Sequence, residues 1–246
     1  MEPYKFEWVE ANSIPFNPER AKTAMSDANS NRNRYNNVLP FDDTRVVLND
    51  TQNYINASYI CGRRYISCQA PMTNTFEDFY RMVWDENSPL IVMLTKFEEN
   101  DRRKADPYFP DGKEMKRCGV FEVKTGAVLF KDVPTVRRTQ VQIRELIITN
   151  KALGQKRSVV HIHYLGWPDF GVPASTKPII DLALLSTVFR GTVKGTKLEG
   201  PVVVHCSAGL GRSGTFIGLL RVFDHHILGL VKNPPSFLVA CLRVAP

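Results

Sequence analysis

The segment 201–216 constrains this chain more than any other. The apolar triplet Val202–Val204 reads as a buried strand, and the residues from Arg212 onward read as a helix start. Between them lies a short loop carrying Gly209 and Gly211. A loop so placed aims successive backbone N–H groups into one concavity, and the helix N-terminus adds its positive dipole end. Such a cup suits a tetrahedral dianion. Cys206 and Arg212 stand at its two ends. The field that holds phosphate also favours a thiolate, and a guanidinium can fork two phosphate oxygens where a lysine cannot. Nucleophile and anion cradle thus come together, which points to phosphoryl transfer onto sulfur. Two other readings compete. Cys206 can be a buried structural thiol beside an ordinary turn. Gly209, Gly211 and Gly214 also satisfy the G-x-G-x-x-G spacing of dinucleotide sites, but that motif needs an acidic residue about 20 positions on. No Asp or Glu follows Asp224, so the dinucleotide reading fails.

With 246 residues the chain can bury one sizeable core, and one domain is the economical expectation. Hydrophobic residues at 43% and charged ones at 23% are ordinary for a globular protein. The net charge of +7 favours anionic partners without choosing among nucleic acid, membrane and phosphopeptide. No basic–aromatic motif supports nucleic acid. The five cysteines, Cys61, Cys68, Cys118, Cys206 and Cys241, form an odd set with no C-x-x-C pair, so neither a disulfide framework nor a zinc site is expected. The N-terminus lacks a signal-peptide core, and no apolar stretch is long enough to span a bilayer. A soluble, cytoplasmic protein is the expectation. A domain cut from a membrane receptor carries the same signals.

Along the chain, residues 1–37 read as helical and polar, with Ser26–Asn37 as a loop leading into the fold. Strands are expected at Val46–Leu48, Tyr54–Ile60, Arg63–Cys68 and Leu90–Leu94. Val120–Thr125, Ala127–Phe130, Thr139–Thr149 and Ser158–Tyr164 alternate in hairpin fashion. Phe76, Phe79, Tyr80, Val83 and Trp84 form a helical stripe within Thr75–Asn87, and Ile179–Val188 is a second helix. The pattern predicts an α/β fold, a large twisted mixed sheet flanked by helices, with the phosphate loop between a strand and a helix.

Cys-x5-Arg followed by Ser, within Val204-His205-Cys206-Ser207-Ala208-Gly209-Leu210-Gly211-Arg212-Ser213-Gly214, closely resembles the signature loop of the protein tyrosine phosphatases. The resemblance implies that Cys206 is the nucleophile and Arg212 binds phosphate in the seat formed by Ser207, Ala208, Gly209, Leu210 and Gly211. It makes His205 the residue that orders the loop, and gives Ser213 a hydroxyl that assists the departing thiolate. Trp167-Pro168-Asp169-Phe170-Gly171-Val172-Pro173 is rich in turn formers and reads equally as a plain surface turn. Expelling a tyrosine phenolate, however, needs a proton, and the stretch resembles the family's mobile acid loop. Carried over, Asp169 is the general acid and later the base, and Trp167 anchors the hinge. Asn33–Asp42 resembles the loop whose tyrosine walls the phosphotyrosine pocket, which assigns Tyr35 that place, against a core-aromatic alternative. Asn37 stands where many members carry an acid, and can still hydrogen-bond. Asn53–Ser58 and Gln69-Ala70-Pro71 resemble family blocks that pack behind the site. Lys104 and Glu99 match a lysine beside the acid and a glutamate paired with the loop arginine. The run Glu98–Lys104 also reads as a solvated charged face. His161 and His163 lie on one side of a strand and read as core residues, not metal ligands.

The resemblance covers about residues 15–222 and then fades; 223–246 is atypical, as in a truncated or alternatively spliced end. The family's glutamine, which orients water for hydrolysis of the cysteinyl-phosphate, has no counterpart after Gln155. Uncovered core and an accumulating phosphoenzyme are the expected consequences. The resemblance therefore implies a single catalytic domain that hydrolyses protein phosphotyrosine without metal or cofactor. Its alternative is a phosphotyrosine-binding module impaired in turnover.

Overall fold

The computed structural model describes residues 16–112, 114–127, 140–168, 171–173, 175–192 and 199–230, with 191–192 and 225–230 described as backbone only. Eleven strands occur among these residues: β1 Arg45–Val47, β2 Tyr54–Ile60, β3 Tyr65–Cys68, β4 Leu90–Met93, β5 Glu98–Glu99, β6 Arg102–Arg103, β7 Met115–Cys118, β8 Phe121–Thr125, β9 Val141–Asn150, β10 Gln155–Tyr164 and β11 Val202–His205. The helices are α1 Lys22–Met25, α2 Phe76–Asp85, α3 Lys177–Thr192 and α4 Gly211–Leu230. Nine strands form one mixed sheet in the order β1-β2-β3-β11-β4-β10-β9-β8-β7, and β5 and β6 make a separate hairpin. This is the α/β fold that the pattern predicts.

The four central strands, β3, β11, β4 and β10, run parallel. Parallel strands buried on both faces need apolar side chains pointing both ways, and β4 and β11 supply them. Leu90, Val92 and Leu94 join Val202 and Val204 in a core under α3 and α4, while Ile91, Met93 and Val203 face the core that holds α2. On the first side α3 contributes Ile179, Leu182 and Phe189, and α4 contributes Phe216, Ile217 and Leu220. The α2 stripe of Phe76, Phe79, Tyr80, Val83 and Trp84 is fully inside the second core. Gly200 leads into β11 so close to α2's end that a Cβ would lie 1.8 Å from the Glu86 carbonyl oxygen.

Several boundaries differ from expectation for local reasons. Residues 16–37 contain only α1 and two 3-10 turns, Pro18–Arg20 and Asp27–Arg32, so the N-terminal run is not a continuous helix and Ser26–Asn37 is not wholly loop. Arg63 and Arg64 fall outside β3, because Cys61, Gly62 and Arg63 all take positive φ (54°, 62° and 66°) and turn the chain there. β7 and the β5–β6 hairpin lie in charged stretches without an alternating apolar pattern. The expectations for residues 1–15, for most of Ala127–Phe130 and for the end of the chain fall outside the described residues. Among the described residues no helix is long and apolar enough to cross a membrane.

The layers are pinned by Asp224 of α4, which is buried. It accepts from Arg64 Nε at 2.7 Å, from Arg190 Nη1 of α3 at 3.0 Å, and from the Tyr65 hydroxyl of β3. Burial and then the facing carboxylate push the Tyr65 phenol up to about 12, so it stays a donor. Asp224→Ala should lower stability by about 2–3 kcal/mol, the low side for breaking a buried pair because both arginines keep some contact with water. A urea midpoint equal to wild type would show that this hub adds nothing.

Candidate active site

All four parallel strands end on the same edge of the sheet, where open α/β sheets bind ligands. β3 leads to Gln69 and Ala70, β4 to Thr95 and the β5–β6 hairpin, β10 to Trp167, and β11 to Cys206. The loop after β11 is stitched to its neighbour by Ala70 N–H on the Ser207 carbonyl (2.9 Å) and by Ser67 Oγ on the Gly209 carbonyl (2.7 Å). Gly209 has φ +80°, and a Cβ there would sit 2.4 Å from the Cys68 carbonyl oxygen. Only glycine fits both demands. The turn carries the Gly209 N–H to 3.3 Å from Cys206 Sγ, on a thiol that is 4% exposed.

Arg212 opens α4 and is buried. Its Nη1 and Nη2 donate to Glu99 Oε1 (2.7 Å) and Oε2 (3.1 Å), a two-pronged pairing that fixes the guanidinium plane. Glu99 is itself held by Thr95 Oγ1 and the Lys96 N–H, both at 3.1 Å. Within the charged run, Glu98, Arg102 and Arg103 are exposed while Glu99 and Lys104 are tucked in, so the solvated-face reading holds for only part of it. The Lys104 carbonyl accepts from Ser207 Oγ at 2.7 Å. Nη1 of Arg212 also reaches the Trp167 carbonyl at 3.4 Å. The Trp167 indole N–H donates to the Gly171 carbonyl at 3.3 Å, drawing the two ends of that turn together. Asp169, between them, lies outside the described residues.

Tyr35 is half-buried, and its hydroxyl lies 2.8 Å from Ser207 Oγ, next to the cysteine. The segment carrying it is anchored from behind. Gln69 accepts from the Arg34 N–H (2.7 Å) and donates to the Arg32 carbonyl (2.8 Å), while Arg34 bonds the Ala70 and Pro71 carbonyls and pairs with Asp106. Tyr54 and Asn56 both donate to Asn33 Oδ1. Asn37 and Leu210 are exposed, and Ala208 is half-buried. Ser213 Oγ is buried with no hydrogen-bond partner among the described residues. No cluster of metal-ligating side chains occurs among the described residues.

Beneath the cup lies a buried layer of histidines: His161 and His163 are core residues as expected, but the hydrogen bonds that join His161 to His205 were not legible from local sequence. His205 Nδ1 lies 3.0 Å from the Cys206 carbonyl, which can only accept, so Nδ1 carries the proton. Nε2 then accepts from the Tyr108 hydroxyl at 2.8 Å, and the same oxygen accepts from His161 Nε2 at 2.7 Å. His161 Nδ1 is left as a lone pair without a partner among the described residues. His163 Nε2 donates to the Thr95 carbonyl at 2.8 Å. Burial holds all three rings neutral: His205 is pushed down to about 3, His163 to about 4, and His161 well below its ordinary value. Tyr108 and its partners are 53 and 97 positions apart, which no local motif betrays.

Because these histidines titrate near 6.5 only when unfolded, the unfolded chain binds more protons below that pH. Stability is therefore fully present above about pH 7 and is lost as pH falls, by about 1.4 kcal/mol per unit per histidine at most. Urea midpoints should drop steeply between pH 7 and pH 5.5 and change little between pH 7 and 8. A midpoint flat from 7 to 5.5 would contradict neutral burial.

The protein-tyrosine phosphatase sequence profile matches residues 29–233 of this chain. The chain is 42% identical over 214 residues to Tyrosine-protein phosphatase 3 of Dictyostelium discoideum, covering 82% of this chain and 21% of that protein. It is 39% identical over 225 residues to human Receptor-type tyrosine-protein phosphatase C, covering 86% of this chain and 16% of the relative. Against human Tyrosine-protein phosphatase non-receptor type 9 it is 38% identical over 213 residues, covering 80% of this chain and 35% of the relative. The chain thus spans a minor part of the length of these relatives.

Proposed function

Since this chain belongs to the protein-tyrosine phosphatase family, we propose that it hydrolyses phosphotyrosine in proteins through a cysteinyl-phosphate, with Cys206 as nucleophile, Arg212 as phosphate anchor and Asp169 as general acid and base. The observation that carries this reading is the pairing of a floor thiol, set under the Gly209 N–H, with a guanidinium fixed by Glu99 at the other end of the same loop.

The chemistry runs in two displacements. Cys206 sulfur attacks phosphorus as the bond from phosphorus to the tyrosine oxygen breaks, and Asp169 gives its proton to the departing phenolate. Water then attacks the phosphorus of the thiophosphate, Asp169 takes a proton from it, and the S–P bond breaks to release phosphate and the thiolate. The Ser213 hydroxyl, buried and without a partner among the described residues, suits a donor to the sulfur leaving in that step. Arg212 and the amides of Ser207–Gly211 hold the phosphoryl oxygens, which is electrostatic stabilisation set up before the reaction. Tyr35 flanks the cup beside Ser207, where its ring makes the pocket deep enough for an aryl phosphate, and Asn37 hydrogen-bonds the peptide nearby. His205 orders the loop through the Cys206 carbonyl. Trp167 hinges the turn that carries Asp169, and Lys104 neighbours the loop through Ser207.

Cys206→Ser should abolish turnover of p-nitrophenyl phosphate and of a phosphotyrosine peptide while leaving peptide binding in place. Asp169→Asn should lower kcat by about 10²–10⁴-fold, the range lost with a general acid. Rapid-quench kinetics on the wild type should show phosphate on the protein at alkali-stable, iodine-labile linkage, as expected for sulfur. Turnover retained by Cys206→Ser would overturn the assignment. Peptide binding without turnover in the wild type would favour a phosphotyrosine-binding module instead.

A further inference from the structure

Two hydrogen-bond chains reach the cup from below, one to each end. The first runs from His161 Nε2 through the Tyr108 hydroxyl to His205 and on to the Cys206 carbonyl. The second runs from His163 Nε2 to the Thr95 carbonyl (2.8 Å); Thr95 Oγ1 then holds Glu99 Oε1 (3.1 Å), which pairs with Arg212. Each chain works only while its histidine carries its proton on Nε2 and is bare on Nδ1. Both Nδ1 atoms are buried with no partner among the described residues.

Strand register puts Arg144 of β9 directly across from His161 of β10, and His163 lies two residues on, on the same face. All three pack around Phe109. The Arg144 Cζ lies 4.5 Å from its ring centre, the His161 ring 4.5 Å and the His163 ring 6.0 Å. Arg144 Nη2 donates to Gln142 Oε1, while Nη1 is buried without a hydrogen-bond partner among the described residues. Asp111 is near enough for its charge to be felt, yet it makes no ion pair with the guanidinium. A buried cation without a counter-ion is costly, and bare lone pairs are groups it can face with gain. Its charge opposes a proton on the Nδ1 of either ring.

We propose that Arg144 is a positioning residue for both ends of the cup: its guanidinium keeps His161 and His163 in the Nε2–H form from which the two chains start. Without that charge either ring can carry its proton on Nδ1 instead. His161 Nε2 would then accept, and the single Tyr108 proton could serve His161 or His205 but not both. His163 Nε2 would meet the Thr95 carbonyl with no proton between them, loosening the residue that grips Glu99. The inference depends on the phosphatase reading only for its effect on rate.

Side-chain ¹⁵N NMR of the histidines tests this directly, because the protonated and bare ring nitrogens give separate signals. The wild type should show His161 and His163 protonated on Nε2 alone, with contacts from the Arg144 Nη protons to the Hε1 of both rings. Arg144→Met removes the charge and keeps an apolar side chain; it should bring out the Nδ1–H form of at least one ring. Arg144→Lys, which restores the charge, should restore the wild-type pattern. Arg144→Met should also lower kcat for p-nitrophenyl phosphate about two- to tenfold, the worth of one hydrogen bond, and Arg144→Lys should recover it. If the wild type turns over no aryl phosphate, the phosphatase reading fails, and affinity for inorganic phosphate by calorimetry carries the same comparison. Histidine forms unchanged in Arg144→Met, or changed equally in Arg144→Lys, would overturn the proposal, as would forms that change while rate and affinity do not. If Arg144→Met does not fold, the wild-type contacts decide: their absence from both rings would overturn it.

Discussion

Parallel pairing of β11 between β3 and β4 decides where every polar group of the cup stands. The register sets His205 opposite Cys68 on one side and opposite Met93 on the other. One residue later the strands have ended and the chain must turn, and the turn is possible only because Gly209 can lie against the Cys68 carbonyl. Shifting that pairing by one residue would put His205 in the helix-facing core and carry Cys206 off the floor of the loop. The Ala70–Ser207 and Ser67–Gly209 bonds extend the pairing beyond the last regular ladder bond. Cup geometry is therefore a continuation of sheet geometry.

Ion pairs around the site do a different job from stabilisation. Arg212 with Glu99, and Arg34 with Asp106, are nearly removed from water, and pairs so placed repay little of the desolvation they cost. What they supply is direction. Glu99 takes both ends of the Arg212 guanidinium and is itself gripped by Thr95 and Lys96, so the cation cannot swing. Arg34, clamped by two carbonyls and Asp106, holds Tyr35 at a fixed distance from Ser207. A site oriented before its ligand arrives spends less of the binding energy on ordering.

Local sequence carried the parts of this arrangement that are local. The strand, glycine loop and helix of 202–224 lie within some twenty residues and announce themselves by apolar run, glycines and basic terminus. The α2 stripe did the same through its spacing. Glu99 was harder, because it sits among charges that point outward; only the two-residue hairpin turns it inward while Glu98 stays in solvent. β7 was hidden because Lys116 and Arg117 belong to an edge strand that meets water and need no alternation. His161 and His163 were legible as core residues from their strand positions, but the bonding through Tyr108 was not. That bonding is a match of donors to acceptors across two strands and a loop, which exists only after folding.

That network also bears on why the layer under an anion site is neutral. A charged imidazolium beneath Cys206 would attract a phosphate, yet burying that charge costs several kilocalories that no carboxylate among the described residues offsets. The chain avoids this by running its hydrogen bonds in one direction, from His161 through Tyr108 to His205 and on to the Cys206 carbonyl. Each ring then needs only one proton, and the sequence ends on His161 Nδ1, which has no partner among the described residues. The Cys206 carbonyl is thereby held from behind. In the proposed reaction, the positive potential for phosphate comes from the loop amides, the α4 terminus and Arg212, groups whose charge does not depend on pH near neutrality. Orientation and attraction are thus supplied by separate sets of atoms.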